Sequence, residues 1–92
     1  MKAGNRKFRR NDKNHDVWSK KIIKRDRCCQ MPNCGKKGKL HAHHIIRYTD
    51  SVYLRYSELN GIALCSNCHH KIRNKEVHYI ELFRKIVARK YE

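Results

Sequence analysis

The chain has 92 residues, 39% of them hydrophobic, and its 23 Lys and Arg against 8 Asp and Glu give a net charge of +15. This length suits one small domain whose core needs a cross-link or a metal ion, and the charge favours a polyanionic partner, above all nucleic acid. No apolar run approaches the roughly 20 residues that span a bilayer, and the basic N-terminus lacks the hydrophobic region of a signal peptide. We therefore expect no membrane association and an intracellular location, where paired cysteines bind metal and do not form disulfides.

The beginning of the chain is strongly basic. Residues 1–14 contain six Lys and Arg side chains, and only Phe8 could anchor this stretch to a core. The composition predicts a flexible basic arm, which either contacts phosphates or is simply solvated. Residues 15–92 are expected to form the domain.

A helical pattern follows the arm. Asp16 can cap a helix in which Trp18, Ile22 and Ile23 recur at helical spacing. The pattern predicts a first helix that ends near Arg27 and delivers the chain to the first cysteines.

Two short strands and a helix are expected in the middle of the chain. Residues 40–46 have the pattern of a strand, and residues 62–64 have that of a second strand, introduced by an Asn-Gly pair. Ser66 is predicted to cap a helix that carries residues 68–73.

The last predicted helix covers residues 76–91. One apolar stripe runs along it, and we interpret this stripe as the face that meets the core and not as a groove for a partner. The stripe consists of Val77, Ile80, Phe83 and Val87, widened by Leu82 and Ile86.

Four cysteines have the spacing of a structural zinc site. Cys29 and Cys34 are separated by four residues, and Cys65 and Cys68 by two, so each short loop can bend a thiolate pair around one tetrahedral ion. Such a site supplies on the order of 10–16 kcal/mol to the folding of small peptides. The adjacent Cys28 is an alternative to Cys29; we prefer Cys29, which closes the tighter loop. Four thiolates leave no position for a substrate, so this site explains stability and no reaction.

Several imidazoles and one amide remain beside the cysteines: His41, His43, His44, Asn60, His69 and His70. Cys68 and His69 are neighbours on one helix and project about 100° apart, so His69 can face a site other than the zinc. His43 and His44 point to opposite faces of an extended strand, so one could bind a metal ion while the other holds a water molecule. This second set indicates chemistry beyond a plain zinc module.

From about residue 18 to residue 72, the chain resembles the HNH endonuclease family. The resemblance runs through W-x3-I-I-x2-R-D, CQMPNCG, LHAHHI, NGIALC and CSNCHHKI, with order and approximate spacing intact. It implies an α+β fold, in which a small treble-clef zinc frame surrounds a ββα-metal active site. A short two-stranded hairpin would be flanked by N- and C-terminal helices.

The resemblance implies a role for each matching residue. His44 would be the general base that takes a proton from the attacking water. His43 and His69 would bind one divalent ion, such as Mg²⁺, Mn²⁺, Ni²⁺ or Zn²⁺, at the scissile phosphate and the leaving 3′ oxygen. Asn60 would tie the hairpin loop together and help to orient His44. Phosphodiester cleavage needs charge neutralisation and a base that titrates near the working pH, and both needs agree with these roles.

The chain departs from the family pattern at Arg73. Many members have a further His or Asn one helical turn beyond the histidine that corresponds to His69, where this chain has Arg73, and arginine has no lone pair to offer a metal. We therefore expect two protein ligands and an ion that is loosely held before DNA binds. Arg73 would either grip a phosphate or be an ordinary exposed residue. Asn74 and His70 are weaker candidates for the missing ligand, and His41 is interpreted as structural or DNA-facing, with metal association as the alternative.

The segment between the strands, residues 47–59, mixes arginines with tyrosines. Arg47 and Arg55 are predicted to contact DNA phosphates, whereas the tyrosines are expected mainly to cover the small core. Nothing in the chain has the pattern of a base-reading helix, so we expect weak sequence preference.

Together these features predict a metal-dependent endonuclease or nickase that acts on double-stranded DNA and leaves a 5′ phosphate. One alternative is a non-catalytic, zinc-bound DNA-binding module, which would have no use for His44. Another is an accessory subunit of a nucleoprotein machine. The family has phage-packaging, restriction and mobile-element members, which suggests a protein partner of that kind and a bacterial cytoplasm or a phage-infected host. The choice between monomer and dimer stays open.

Overall fold

The fold is a short β-hairpin with helices on both of its faces. A computed structural model describes residues 13–92 of the chain. Its main elements, in chain order, are helix α1 (Lys13–Asp26), strand β1 (Leu40–His44), strand β2 (Gly61–Cys65), helix α2 (Ser66–Lys71) and helix α3 (Ile80–Arg89). Short 3₁₀ turns, Glu58–Asn60 and Glu76–Tyr79, precede β2 and α3. This is the small α+β architecture that the sequence predicts.

The two strands pair antiparallel, and their register places the conspicuous histidines at the end of the hairpin. His43 lies opposite Ile62, and His44 lies opposite Gly61. Side chains alternate between the faces of a strand, so these two imidazoles leave the hairpin on opposite sides. No helix within residues 13–92 has the length and apolar character that a membrane crossing requires.

Each face of the hairpin has its own apolar cluster. On one face, Trp18 and Ile22 of α1 pack against Ala63. On the other, the strands pack against α2 and α3, and the buried members are Cys29, Ile45, Ile62, Leu64, Cys65, Cys68, Ile72, Phe83 and Val87. Three of the predicted zinc ligands, Cys29, Cys65 and Cys68, are therefore also packed in the larger core.

Helix α1 approaches the hairpin so closely that only glycine fits at position 61. A Cβ atom on Gly61 would lie 2.6 Å from side-chain atoms of both Ile22 and Trp18. The Asn-Gly pair, which signals a turn in the sequence, therefore also permits the contact between helix and strand.

A buried carboxylate fastens the end of α1 to β2. Asp26 accepts a hydrogen bond of 2.9 Å from the backbone N–H of Ala63 and two from the guanidinium of Arg25, at 2.7 and 3.0 Å. The same guanidinium donates to the carbonyl oxygen of Gly61 at 2.7 Å. Lys90 adds a second positive charge, 3.7 Å from the carboxylate. These contacts fix how α1 lies on the hairpin.

The first helix begins earlier than its predicted cap. It starts at Lys13, three residues before Asp16, and so includes the last two residues of the predicted basic arm. The rest of that arm, residues 1–12, lies outside the described residues. Strand β1 is also shorter than predicted and ends at His44, because the N–H of Ile46 donates to the side chain of Asn60 at 2.8 Å.

The predicted cap of α2 is wrong. Ser66 is the first residue inside the helix, and the capping residue is Cys65, whose thiol accepts the N–H of Cys68 at 3.4 Å. The thiol of Cys65 therefore accepts the hydrogen bond that a side-chain oxygen usually accepts at this position, and it also belongs to the thiol cluster. A search for Ser, Thr, Asp or Asn caps could not have found it.

The apolar stripe of the last helix is narrower than predicted. The chain forms a 3₁₀ turn before α3. The tighter winding of that turn directs Val77 away from the core, and Val77 is 69% exposed. Leu82 is 38% exposed, whereas Phe83 and Val87 are buried. The tyrosines of residues 47–59 also differ in burial: Tyr48 is buried, and Tyr53 is almost fully exposed.

Candidate functional site

The four predicted zinc ligands come together at one end of the hairpin. The Sγ atoms of Cys29, Cys34, Cys65 and Cys68 all lie within 4.8 Å of one another, and the Cys34 and Cys65 atoms are 3.9 Å apart. They form the only such group of three or more metal-binding side chains among residues 13–92. Cys28 lies outside the group, beside Gln30, so the structure favours Cys29 over its neighbour.

Tight local turns bring the first pair of thiols to the second. The N–H of Cys34 donates to the carbonyl oxygen of Met31 at 3.0 Å, and Asn33 and Gly35 both adopt positive φ angles near 67–68°. The N–H of Cys29 donates to the carbonyl of Lys36 at 2.8 Å, which closes the loop. The loop therefore presents two thiols on one side of a compact knuckle.

The electrostatics of the cluster fit a bound cation. The backbone N–H of Cys68 lowers the pKa of Cys65 to about 7, whereas burial and the neighbouring thiols raise the pKa of Cys68 to about 12. Four thiols this close cannot all ionise without a positive charge between them. A tetrahedral zinc ion would supply that charge, and four sulfur ligands are a set that zinc prefers.

The imidazoles form a separate group at the other end of β1. The ring of His44 stacks on the indole of Trp18, with 3.8 Å between centroids and 14° between planes. The ring of His43 lies on the opposite face, 5.5 Å from His69 and 5.7 Å from Phe83. Both His43 and His44 are buried.

A backbone carbonyl fixes the tautomer of His44. Its Nε2 lies 2.8 Å from the carbonyl oxygen of Arg55. A carbonyl can only accept, so Nε2 carries the proton, and the lone pair of the neutral ring resides on Nδ1. Arg55 is itself held by Tyr48: its Nε donates to the Tyr48 carbonyl at 3.0 Å, and its guanidinium lies 4.1 Å from the ring centroid.

Asn60 joins the two ends of the loop that carries this carbonyl. Its amide nitrogen donates to the carbonyl oxygens of Ile46 and Leu54, at 3.0 and 3.1 Å, and its side-chain oxygen accepts the N–H of Ile46 at 2.8 Å. Leu54 directly precedes Arg55. The buried amide therefore determines where the hydrogen-bond acceptor for His44 lies.

One cavity of about 170 Å³ receives the histidines of both faces. Its lining residues are His15, Ala42, His43, His44, Arg47, Tyr48, His69 and Glu76. Partial desolvation in the cavity lowers the pKa of His69, although part of the side chain is exposed, and electrostatic interactions with His41 and Arg73 act in the same direction. The lowered pKa favours the neutral imidazole, which has a lone pair for a metal ion.

The cavity contains residues that the sequence reasoning missed. His15 lies on α1 one turn before Trp18, and its ring is 5.7 Å from that of His44. The i, i+3 spacing of His15 and Trp18 could have indicated a shared face. Glu76 follows a left-handed residue, Asn74 (φ 67°), which turns the chain back after α2. No pattern in the sequence places Glu76 beside the histidines.

The other predicted residues lie in different surroundings. Of the three arginines, Arg47 lines the cavity, Arg55 packs on Tyr48, and Arg73 is exposed on the surface. His41 is 3.0 Å from the hydroxyl of Ser66, and its ring stacks on that of His69 at 5.3 Å. The predicted contacts of these arginines with DNA remain predictions.

A hairpin followed by a helix, with imidazoles beside a four-thiol frame, defines a ββα-metal module. The comparison with protein families agrees with that class: the family described as HNH endonuclease matches residues 29–75, just over half of the chain. The chain belongs to the HNH endonuclease family, whose domains generally bind DNA and are generally nucleases. Searches of curated proteins and of solved structures return no significant match.

Proposed function

We propose that this protein is a metal-dependent DNA endonuclease that hydrolyses phosphodiester bonds. The observation that carries the proposal is the single cavity shared by His43, His44 and His69. In this cavity His44 has a fixed tautomer, and the ring centroids of His43 and His69 lie 5.5 Å apart. Membership of the HNH endonuclease family supports the same reaction.

Two neutral imidazoles suit a divalent ion. His43 and His69 would hold Mg²⁺, Mn²⁺, Ni²⁺ or Zn²⁺, and a bound ion supplies positive charge for the phosphate and for the leaving 3′ oxygen. The ring centroids of the two histidines are 5.5 Å apart, and the low pKa of His69 keeps its lone pair available. The four thiols would hold a separate structural zinc ion.

His44 would act as the general base. Its Nε2 proton is engaged by the Arg55 carbonyl, so Nδ1 is the atom that accepts a proton from the attacking water. Stacking on Trp18 restrains the ring, and Asn60 restrains the loop that carries the carbonyl. Hydrolysis in this sense leaves a 5′ phosphate and a 3′ hydroxyl. A single site of this kind would cut one strand at a time, so a nick is the expected primary product.

The charge of the chain would bring DNA to this cavity. A net charge of +15 attracts the phosphate backbone without selecting a sequence. Arg47 lies at the cavity itself and would contact a phosphate there, although its guanidinium is paired with Asp50 at 3.0 Å. Exchange of Asp50 for a DNA phosphate would preserve the charge balance of Arg47.

The test is cleavage of supercoiled plasmid DNA with Mg²⁺, Mn²⁺ or Ni²⁺ by the zinc-loaded protein and by His44→Ala. Loss of a general base costs about 10²–10⁴-fold in rate, so we expect nicking to disappear in the variant. The matched control is His70→Ala: this imidazole, a candidate ligand by sequence, is exposed and is not among the residues that line the cavity, so its removal should leave cutting normal.

Zinc content and DNA affinity are measured on the same three proteins. Equal cutting by His44→Ala and the unaltered chain would contradict the proposal. DNA binding without cutting by any of the three, with each metal, would instead favour a non-catalytic DNA-binding module.

A further inference from the structure

A carboxylate lines the cavity beside the two imidazoles proposed as metal ligands. Glu76 is the first residue of the 3₁₀ turn after α2, and it is partly buried against the cavity. The turn that puts it there is closed by a hydrogen bond of 2.8 Å from the N–H of Lys75 to the carbonyl of Ile72. Of the described residues that line this cavity, Glu76 is the acidic one.

The carboxylate of Glu76 interacts electrostatically with other residues of the same cavity. Its own backbone N–H lowers the pKa of Glu76, and the N–H of Asn74 and the nearby His43 and Arg47 act in the same direction. Arg47 also lines this cavity, and its guanidinium donates two hydrogen bonds to the carboxylate of Asp50, at 3.0 and 3.4 Å. Among residues 13–92, the ion pair of Arg47 is therefore with Asp50, and Glu76 lines the cavity together with His43 and His69.

We propose that Glu76 is a third protein ligand of the divalent ion bound by His43 and His69. The inference rests on the proposed function, because it presupposes that ion. It changes the expected number of protein ligands from two to three. Arg73, at the position where many family members have a further ligand, is exposed and has no lone pair, whereas Glu76 lines the cavity.

Ligation requires a movement of the Glu76 side chain. Its oxygen and the two imidazole nitrogens are not gathered within 4.8 Å as the thiols are. The side chain has several rotatable bonds and is only partly buried, so it can swing toward an ion without disturbing the backbone. His43 and His69, fixed on a strand and a helix, provide the rigid part of the site.

The identity of the third ligand determines which metals bind. Imidazoles suit Ni²⁺ and Zn²⁺, whereas a carboxylate oxygen suits Mn²⁺ and Mg²⁺. A site with two imidazoles and one carboxylate would therefore hold Mn²⁺ considerably better than two imidazoles alone. The proposal predicts a change in metal selectivity, which a merely structural role for Glu76 would not produce.

The test measures Mn²⁺ and Ni²⁺ affinity of the zinc-loaded protein by titration calorimetry, without DNA. We expect Glu76→Gln to weaken Mn²⁺ binding on the order of ten-fold or more, and Ni²⁺ binding clearly less. Glu76→His should shift selectivity further, with tighter Ni²⁺ and weaker Mn²⁺ binding. Glu81→Gln is the matched control, because it removes the same charge from an exposed site on α3, where Glu81 pairs with Lys85.

The outcomes separate this proposal from the function on which it rests. Unchanged Mn²⁺ affinity in Glu76→Gln, with weakened binding in His69→Ala, overturns ligation by Glu76 and leaves the histidine site intact. An equal loss for Mn²⁺ and Ni²⁺, or an equal loss in Glu81→Gln, overturns it as well. If His69→Ala leaves both affinities unchanged, the metal site itself is wrong, and the proposed function fails with it.

Discussion

At the scale of single residues, the orientation of His44 depends on an aromatic residue outside the group His43, His44, Asn60 and His69. Trp18 stacks on the imidazole and donates its indole N–H to the carbonyl of Ser57 at 2.8 Å. The apolar spacing of α1 predicts Trp18 as a core residue, and it is buried. Its second role, as a positioning residue for His44, follows only from the contact between the two rings.

We expect Trp18→Leu to slow DNA cleavage on the order of 10²-fold, because His44 loses the ring that restrains it. Trp18→Phe should recover much of that rate, since it keeps an aromatic face. The loss of the hydrogen bond to Ser57 should still cost about 1–3 kcal/mol of unfolding free energy. Plasmid nicking and thermal unfolding measure the two effects. Rates that simply follow stability in both variants would argue against positioning.

At the scale of elements, the attachment of α1 to the hairpin decides whether Trp18 reaches the site. The side chain of Asp26 is completely buried between Arg25 and the backbone of Ala63. A buried charged group is stable only while its partners are present. The carboxylate, its guanidinium and the N–H of Ala63 thus form one unit, which holds the helix in place.

We expect Asp26→Asn to lower the free energy of unfolding by about 3–5 kcal/mol, because Arg25 and Lys90 would lose their counter-charge. The control is Asp50→Asn, which breaks an exposed ion pair with Arg47 and should cost about 0–1 kcal/mol. Urea unfolding of zinc-loaded proteins measures both. Similar losses in the two variants would contradict a special role for the buried carboxylate.

Spacing and periodicity predict the elements whose determinants are local. Three features lie near their expected positions: the Cys-x-x-Cys pair, the strand that ends at His44 and the first helix. The failures come from local contacts that residue-type patterns do not indicate: a thiol of the cysteine pair caps α2, and a 3₁₀ turn directs Val77 away from the core. The position of Glu76 beside the histidines depends on the preceding turn, in which Asn74 is left-handed and the N–H of Lys75 donates to Ile72, so sequence spacing could not indicate it.

At the scale of the whole molecule, the thiol frame and the histidine cavity are parts of one core. Three of the four cysteines belong to the apolar cluster that includes Phe83, and the ring of Phe83 lies 5.7 Å from that of His43. A chain of 92 residues with this small core is expected to depend on a metal ion at the four thiols for its stability. Loss of zinc should therefore disrupt the histidine cavity, whereas loss of the ion at the histidines should leave the frame intact.

We expect two distinct stages of metal removal. Mild EDTA treatment should abolish cleavage while the circular dichroism spectrum and zinc content stay unchanged, because two imidazoles and one carboxylate hold an ion less firmly than four thiolates. A stronger chelator, or the substitution Cys68→Ser, should unfold the domain, since a structural zinc contributes on the order of 10 kcal/mol. Cys28→Ser is the matched control, because Cys28 lies outside the thiol group and its loss should leave zinc content at the level of the unaltered chain. Unfolding by mild EDTA together with loss of activity would show that the two sites are not separable, and would contradict the division of the metal centres into a structural and a catalytic one.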